Sequence, residues 1–347
     1  MPVAPNLFER FVMLQLNRAP GPVLDLVGAG GERAVGLALD LGLFEALATG
    51  PATLDDVASQ LDCEPAGLEP LCDFLTALGY LTRDGNRYAT TPMTERWLLA
   101  TDGVGPWLTF WHEVVFPFWE ANMTTAVRTG APEQTLYEWL DDHPERWQLA
   151  HEGFRAAAAV LAPTVVEKVS LPSHARVLDV GGGHGLYAAT LADRHTDALV
   201  TVFDTEPARA VALETARDAG VVDRFSFIAG DYTTDELGEG YDTALLFNVV
   251  HAHDGPENVA LFERVRDALV PGGRLYVLDQ FDGTGRTTLA RATVGFVGLT
   301  YLVTLGHRAH DVDDVVAWLA EAGFEVTDRE SFLTAPGVSL LVATPAK

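Results

Sequence analysis

Lysine is almost absent from this 347-residue chain. Lys168 and Lys347 are its two lysines, and arginine supplies the rest of its 23 basic residues. Against 49 acidic residues, this leaves a formal net charge of −26. A surface this negative repels phosphate backbones and anionic headgroups, so the composition argues against a nucleic-acid or membrane partner. The same bias is typical of a GC-rich genome and of adaptation to salt, and the sequence does not separate the two.

Cysteine is scarce as well. Cys63 and Cys72 alone cannot form a disulfide framework or a zinc ribbon, so we expect buried, inert thiols. No continuous apolar run reaches the roughly 18 residues that span a bilayer. The first 20 residues lack the basic start, apolar stretch and cleavage site of a signal peptide, which predicts a cytoplasmic protein. Since 48% of the residues are apolar, a sizeable core can be buried.

Residues 30–100 show the pattern of a winged helix. Apolar residues recur at helical spacing, Thr53 is a helix N-cap, and Asp84-Gly85-Asn86 joins two short strands into a hairpin. Where a recognition helix would lie, residues 54–69 carry five acids and neither lysine nor arginine. A recognition helix needs donors for bases and phosphates. We therefore predict a dimerisation element, with a winged-helix regulator as a remote alternative.

From about residue 170 the pattern changes to alternating strands and helices. Such repeats predict an α/β fold with a mostly parallel, Rossmann-like sheet and right-handed crossovers. The last two strands, joined through Ala335-Pro336-Gly337, predict an antiparallel edge hairpin. The predicted domains are 1–100 for dimerisation, 101–165 as a helical connector and substrate-pocket segment, and 166–347 as the Rossmann-like domain. The predicted strands are 176–180, 199–203, 225–228, 241–247, 273–279, 324–331 and 338–344.

A glycine-rich turn follows the first of these strands. Asp179 ends the strand and leads into Gly181, Gly183 and Gly185, where missing side chains let a ligand approach the backbone. Asp204 lies 19 residues beyond Gly185, at the end of the next strand, where an acid can accept both ribose hydroxyls.

Asp231 and Tyr232 follow the third strand and suit the amine and the ring of adenine, although alone they could be a helix cap and a packing residue. Because carboxyl ends of parallel strands share one edge, these loops predict a nucleoside site. NAD is the main competitor. Asp179 suits the cationic end of S-adenosylmethionine better than a diphosphate.

Two apolar segments could line a small-molecule pocket. The helical stretch 101–165 is rich in aromatic residues, and the segment 294–305 carries no charge. Either could also be core or, for the first, a dimer interface. As a pocket they would favour a planar, aromatic ligand. The candidate pocket residues are Phe110, Trp111, Met123, Phe154, Phe296 and Tyr301.

Together these motifs resemble the plant-caffeate-type and bacterial polyketide-type O-methyltransferases. The resemblance covers almost the whole chain, including a family-like N-terminal stretch at 41–53. The motifs that carry it in the second half are Leu178–Gly185, Phe203-Asp204, Gly230-Asp231-Tyr232, Asn248-Val249-Val250-His251, Pro271-Gly272-Gly273 and Ala322-Gly323-Phe324.

The resemblance implies a class-one methyltransferase domain, a homodimer and S-adenosylmethionine as cofactor, with S-adenosylhomocysteine as product. By position, Gly181 would contact the methionine part, Asp204 the ribose, and Asp231 with Tyr232 the adenine. Asn248 would lie beside the cofactor near the reacting methyl.

The resemblance also implies a general base. His251 matches it, and free histidine titrates near pH 6.5, so a neutral imidazole is available at neutral pH. Asp279 matches the first of two acids that support the base in the family, one methylene shorter than the usual glutamate. At the second position this chain has Ala309, and Ala252 follows His251 where the family has aspartate.

These departures leave alternatives open. The same cofactor could serve C- or N-methylation, decarboxylation, hydroxylation or a pericyclic reaction. His251, His253 and Asp254, with His307 or His310, could instead assemble a metal site, although His253 and Asp254 also fit the solvent-facing start of a helix. Because that helix start accounts for His253 and Asp254, we predict a site without a metal ion.

Overall fold

In the computed structural model, residues 7–16, 21–284, 287–332 and 335–346 are described. The chain divides into two units, Met1–Phe116 and Pro117–Lys347. The predicted connector 101–165 is thus shared between them. The three functional segments assigned from the sequence remain a prediction.

The first unit is mainly helical. It contains a small antiparallel sheet in the order β1-β3-β2. Its strands are β1 (Ala52–Thr53), β2 (Leu81–Asp84) and β3 (Arg87–Thr90). Its helices are α1 (Leu7–Arg10), α2 (Val23–Asp40), α3 (Leu43–Leu47), α4 (Leu54–Gln60), α5 (Pro65–Ala77), α6 (Pro92–Thr94) and α7 (Gly105–Phe110), with π-helical turns over Phe11–Gln15, Glu95–Leu99 and Trp111–Val115.

Local signals in this unit formed as predicted. The Thr53 hydroxyl accepts the Asp56 N–H at 3.2 Å and caps α4. Gly85, at φ +60°, turns the chain between β2 and β3. Cys72 is buried, and burial raises the pKa of its thiol to about 11. Cys63 is half-buried rather than buried, because it lies in the turn between α4 and α5.

The second unit holds the large sheet, and helix α8 (Phe116–Thr129) leads into it. Its strands are β4 (Arg176–Val180), β5 (Leu199–Asp204), β6 (Phe225–Ala229), β7 (Tyr241–Phe247), β8 (Leu269–Gln280), β9 (Phe324–Ser331) and β10 (Val338–Pro345). The remaining helices are α9 (Leu136–Asp142), α10 (Pro144–Ala159), α11 (Ala162–Val166), α12 (Leu186–Arg194), α13 (Arg209–Asp218), α14 (Gly255–Ala268), α15 (Thr288–Leu305) and α16 (Val312–Glu321), with 3₁₀ turns at Glu206–Ala208, Val222–Arg224 and Val250–Ala252.

The sheet has the order β6-β5-β4-β7-β8-β10-β9. The first five strands in that order are parallel, while β10 is antiparallel to both β8 and β9. The central strands β4 and β7 are buried on both faces, as expected when helices cover the two sides of a parallel sheet. The Rossmann-like fold with an antiparallel edge hairpin is therefore confirmed.

The sequence pattern predicts that β8 begins at Gly273 and α14 at Glu257, and both elements begin earlier in the structure. Strand β8 begins at Leu269 rather than Gly273, because Leu269 pairs with Tyr241 and the register then shifts. Helix α14 begins at Gly255 rather than Glu257. Asp254 caps it by accepting the Glu257 N–H, and Glu257 accepts the Asp254 N–H in return.

Within the described residues, the 18-residue α15 is the single helix long and apolar enough to cross a membrane, with a mean hydropathy of 1.4. The sequence expectation missed it because that expectation required an unbroken apolar run, and α15 includes Arg291. Length and composition alone are weak evidence for a membrane span, since core helices of soluble proteins meet the same criteria.

Candidate active site

The glycine loop connects β4 to α12 and needs glycine for two reasons. Gly181 and Gly185 both have φ of +68°, in the left-handed region. A Cβ on Gly181 would lie 2.6 Å from the Val249 side chain, and one on Gly185 would lie 2.8 Å from the Phe225 ring. The backbone of this loop is therefore packed too closely for any other residue.

Asp179 lies beneath this loop. Its side chain is 1% exposed, and neither carboxylate oxygen has a hydrogen-bond partner among the described residues. Burial, with a smaller contribution from the charge of Asp204, raises the pKa of Asp179 to about 8. A buried carboxyl group without donors is costly unless a ligand supplies them. This position suits a cationic group.

Asp204 is brought to the same loop by β5. One carboxylate oxygen accepts the Gly183 N–H at 2.7 Å, and the other accepts the Thr205 N–H at 2.6 Å. Burial raises the pKa of Asp204 despite these bonds. The structure thus gathers Asp179, Gly183 and Asp204 around one loop, as the sequence predicted for a nucleoside site.

Asp231 and Tyr232 follow β6 and face different partners. Asp231 is exposed, and its carboxylate accepts the N–H and the hydroxyl of Thr233, which lowers its pKa. The Tyr232 hydroxyl is 3.0 Å from Nε2 of His253. The Tyr232 ring also borders the glycine loop, 3.4 Å from where a Cβ on Gly181 would lie. Asp231 therefore closes a local turn, and its role toward adenine stays a prediction.

His251 follows β7 and is held by Asp279, near the end of β8. Its Nδ1 lies 2.8 Å from one Asp279 oxygen and 3.1 Å from the other. The backbone N–H of His251 also donates to Asp279, at 3.1 Å, as does that of Gln280 at 2.7 Å. Both side chains are buried, at 7% and 1% exposed. One carboxylate therefore fixes both the ring and the backbone of this histidine.

Tyr301, from α15, covers the face of that imidazole. The two rings are stacked, with centroids 4.1 Å apart and planes inclined by 4°. Ala309 is buried close to Gly298 of the same helix, at the position where the resemblance leads one to expect a carboxylate. An aromatic face and a single acid thus hold His251.

Asn248 directly follows β7 and has an unusual backbone conformation. Its φ is +56°, which non-glycine residues rarely adopt and which often marks a functional site. Its N–H donates to the Leu278 carbonyl at 2.7 Å, and its side chain is hydrogen-bonded to Tyr187. The side chain is exposed, so its predicted place beside a cofactor is sterically open.

The predicted pocket residues fall in both units. Phe110 and Trp111 belong to the first, where Phe110 is buried and the Trp111 ring lies 5.2 Å from that of Phe116. In the second, Phe296 and Met123 are about 40% exposed, at 42% and 39%. Phe154 is half-buried on α10. Their common role as a pocket remains a prediction.

Two histidines of this region were not selected from the sequence. His184 lies inside the glycine loop, and His151 is buried on α10 with both ring nitrogens unpartnered in the described structure. His151 lies three residues before the predicted Phe154, on the same face of the helix, and that spacing could have revealed it. Among the described residues, no group of three or more His, Cys, Asp or Glu could hold a metal ion.

Comparison with known proteins gives the family. A sequence model of the O-methyltransferase domain matches residues 121–325, and one of the O-methyltransferase dimerisation domain matches residues 33–100. The fold and this site define an S-adenosylmethionine-dependent methyltransferase of class one. The chain belongs to the O-methyltransferase family, as the motifs predicted.

Named relatives differ in the atom that they methylate. The chain is 29% identical to the tetracenomycin polyketide synthesis 8-O-methyl transferase TcmO of Streptomyces glaucescens, over 88% of this chain and 92% of that protein. It is 28% identical to the N,N-dimethyltransferase OxyT of Streptomyces rimosus, over 90% and 92%. Among solved structures, the mitomycin 7-O-methyltransferase MmcR superimposes with a TM-score of 0.82 at 24% identity, over 96% and 99% of the two chains.

Proposed function

We propose that this protein methylates a hydroxyl group of an aromatic or polyketide-like small molecule, with S-adenosylmethionine as donor and His251 as general base. The observation that carries the proposal is the buried pair of His251 and Asp279. It lies at the carboxyl ends of β7 and β8, in the sheet whose neighbouring strand β4 leads into the glycine loop. Ligands of such sheets bind at that edge.

The residues at this edge fit the cofactor. Asp179, buried and without donors, would take its ammonium group, and Asp204 its ribose hydroxyls. Asp231 and Tyr232 would contact the adenine, and Asn248 would lie beside the sulfur end. When bound, S-adenosylmethionine supplies a methyl group already activated by its sulfonium charge.

The protein must then orient the acceptor and remove its proton. Because Nδ1 of His251 faces the Asp279 carboxylate, the proton on the neutral ring belongs on Nδ1 and the lone pair on Nε2. Nε2 accepts the proton of the acceptor hydroxyl. Asp279 stabilises the imidazolium that forms, as a carboxylate does in other histidine-based sites.

A second acid is not needed to hold this base. Asp279 accepts hydrogen bonds from the His251 ring, the His251 backbone and the Gln280 backbone. Tyr301 covers one face of the imidazole, so the ring cannot rotate without losing the stacking contact. These contacts account for a working base despite Ala309.

The acceptor class rests on the candidate pocket residues and on the relatives. Phe154, Phe296 and Tyr301, with Met123, would form an apolar wall for a planar ring system. The name of the relative TcmO supports a polyketide acceptor.

Isothermal titration with S-adenosylhomocysteine tests the cofactor, and methyl-labelled S-adenosylmethionine with hydroxylated naphthoates and tetracyclic polyketides tests the reaction. We expect micromolar binding and a labelled methyl ether. His251→Ala should slow label transfer by about 10²-fold or more and leave binding of S-adenosylhomocysteine intact. Absence of any binding would end the proposal at its first step.

A second candidate is N-methylation of the same class of molecule. The relative OxyT, an N,N-dimethyltransferase by name, favours it, and an ammonium acceptor would also need a base such as His251. Amino-substituted analogues in the same assay distinguish N-methylation from O-methylation, because N-methylation would place the label on nitrogen. A product without label would indicate a diverted reaction such as decarboxylation, hydroxylation or rearrangement.

We further propose a cytoplasmic homodimer formed through the first unit. The matched dimerisation domain supports it. So does the exposure of large apolar side chains in that unit, including Phe11 at 50% and Leu26 at 72%. Burial of these side chains against a second copy would remove apolar surface from water.

A further inference from the structure

His151 is a buried polar side chain that the proposed chemistry leaves without a role. It lies on α10, is 6% exposed, and stacks on Trp147 with ring centroids 5.0 Å apart. Within the described part of the chain, neither Nδ1 nor Nε2 has a hydrogen-bond partner. Burial lowers the pKa of this ring to about 4, so it is neutral at cellular pH and offers one N–H donor.

An unpaired buried donor costs free energy comparable to a lost hydrogen bond, so such groups in native proteins usually meet a partner. Helix α10 packs against α12, the helix that begins at the glycine loop. His151 and His184 are close enough for their charges to interact. The unpaired donor of His151 therefore lies near the glycine loop.

His184 adds a second donor at the same place. Its Nδ1 accepts the Leu186 N–H at 3.1 Å, which leaves the ring proton on Nε2. Burial and the neighbouring His151 lower the pKa of His184 to about 3, so this ring too is a neutral donor. His184 lies at the N-terminus of α12, where the helix dipole favours an anion.

Asp179 provides the opposite preference within the same loop. Its unpartnered carboxylate lies 2.6 Å from where a Cβ on Gly182 would be, directly under the chain that carries His184. Asp179 thus favours a cation at this loop, whereas the ring N–H groups of His151 and His184 favour an anion. A zwitterionic α-amino acid, with ammonium and carboxylate on one carbon, matches that pair.

We propose that the ring N–H groups of His151 and His184 bind the α-carboxylate of the amino-acid end of S-adenosylmethionine, while Asp179 binds its ammonium. This rests on the proposed cofactor. The other source of a carboxylate is an acidic acceptor, and the test separates the two.

The decisive comparison uses two ligands that differ in the amino-acid part. S-adenosylhomocysteine carries it, whereas 5′-methylthioadenosine keeps the adenine, ribose and thioether without it. His151→Phe preserves a ring on Trp147 but removes the N–H. By calorimetry, we expect this variant to bind S-adenosylhomocysteine at least tenfold more weakly and 5′-methylthioadenosine as tightly as the wild type.

A matched control is His143→Phe. His143 also stacks on a tryptophan, Trp139, at 20° between planes, but its Nδ1 is already hydrogen-bonded to the Trp139 carbonyl at 2.8 Å. It should bind both ligands like the wild type. His151→Phe should also melt no lower than the wild type without ligand, because an unpaired polar ring is replaced by an apolar one, whereas a merely structural role predicts a lower melting temperature.

Several results would overturn the inference. If His151→Phe binds both ligands more weakly to the same degree, His151 supports the fold of the site. If it binds both as tightly as the wild type, His151 is not part of the site. Normal S-adenosylhomocysteine affinity with a raised KM for an acidic acceptor would assign His151 to the acceptor. If the wild type binds neither nucleoside, the proposed cofactor itself is wrong and the carboxylate assignment falls with it.

Discussion

His251 and Asp279 form the contact on which the proposed chemistry depends most. His251→Ala should lower kcat/KM by about 10²- to 10⁴-fold, the usual contribution of a general base. Asp279→Asn should lower it by about 10²-fold or more, because an amide can stabilise neither the required tautomer nor the imidazolium. Initial rates with the identified acceptor measure both changes.

The affinity for S-adenosylhomocysteine should stay within about twofold of the wild type in both variants, because neither residue is assigned to the cofactor. The exposed His174 provides a control, and His174→Ala should retain full activity. A His251→Ala enzyme that turns over at the wild-type rate would show that proximity alone drives the reaction.

Asp179 should strengthen binding of the proposed cofactor while it lowers the folding stability of the ligand-free protein. Its pKa rises from 3.8 to about 8 on folding, so between pH 4 and 8 the folded chain holds a proton that the unfolded chain has lost. Stability therefore falls with rising pH across that window. Asp179→Asn should remove this loss, with a gain in melting temperature over the wild type that grows from pH 5 to pH 8.

The same substitution should lower the affinity for S-adenosylhomocysteine by about 10- to 100-fold, because a hydrogen-bonded charge pair contributes roughly 1.5 to 3 kcal/mol. Thermal scans and calorimetry over the pH series measure both effects. A melting difference independent of pH would mean that this carboxyl group does not titrate in the window.

At the scale of elements, α15 contributes Tyr301, whose ring stacks on His251, the proposed base. Tyr301→Phe keeps the stacked ring and should retain kcat within a few-fold. Tyr301→Leu removes the aromatic face that attracts an imidazolium, an attraction of about 0.5 to 2 kcal/mol, so kcat should fall by about tenfold. If instead only the KM of the acceptor rises in Tyr301→Leu, the residue is a pocket wall and does not position His251.

The elements themselves were largely predictable. Strands β4 to β7, β9 and β10 lie within about one residue of their predicted bounds, because buried parallel strands are short apolar runs between turn residues. The boundaries that differed, at β8 and α14, depend on a register shift and on a reciprocal cap. Both are contacts between residues that a linear pattern does not bring together.

At the scale of the whole molecule, charge should govern assembly. Each chain carries −26, so two copies repel one another while their apolar surfaces attract. We expect a dimer by light scattering that tightens as salt rises from 20 to 300 mM, since salt screens the repulsion.

The double variant Leu26→Asp and Phe11→Asp should give a monomer, because it places charges in the apolar surface. Val222→Asp, at an exposed apolar residue outside the first unit, is the control and should remain dimeric. A wild-type monomer at micromolar concentration would contradict the proposed assembly.

The sequence by itself determined the family, the succession of strands along the chain and the residues at their carboxyl ends. These follow from local periodicity, from glycines at required backbone conformations and from motifs that are contiguous in the chain. The sequence therefore predicts Asp179, Gly183 and Asp204 as one group, and the structure brings them together at one loop.

Only the tertiary structure decided how the His251 ring is held and which buried groups lack partners in the described part of the chain. The stacking of Tyr301 on His251 joins residues 50 positions apart, and the orphaned state of His151 depends on the packing of α10 against α12. Hydrogen-bond satisfaction is a property of three-dimensional neighbours rather than of residue type. The scarcity of lysine argues against nucleic-acid and membrane partners, and the positions of a few unpaired atoms support the proposal for what the site binds.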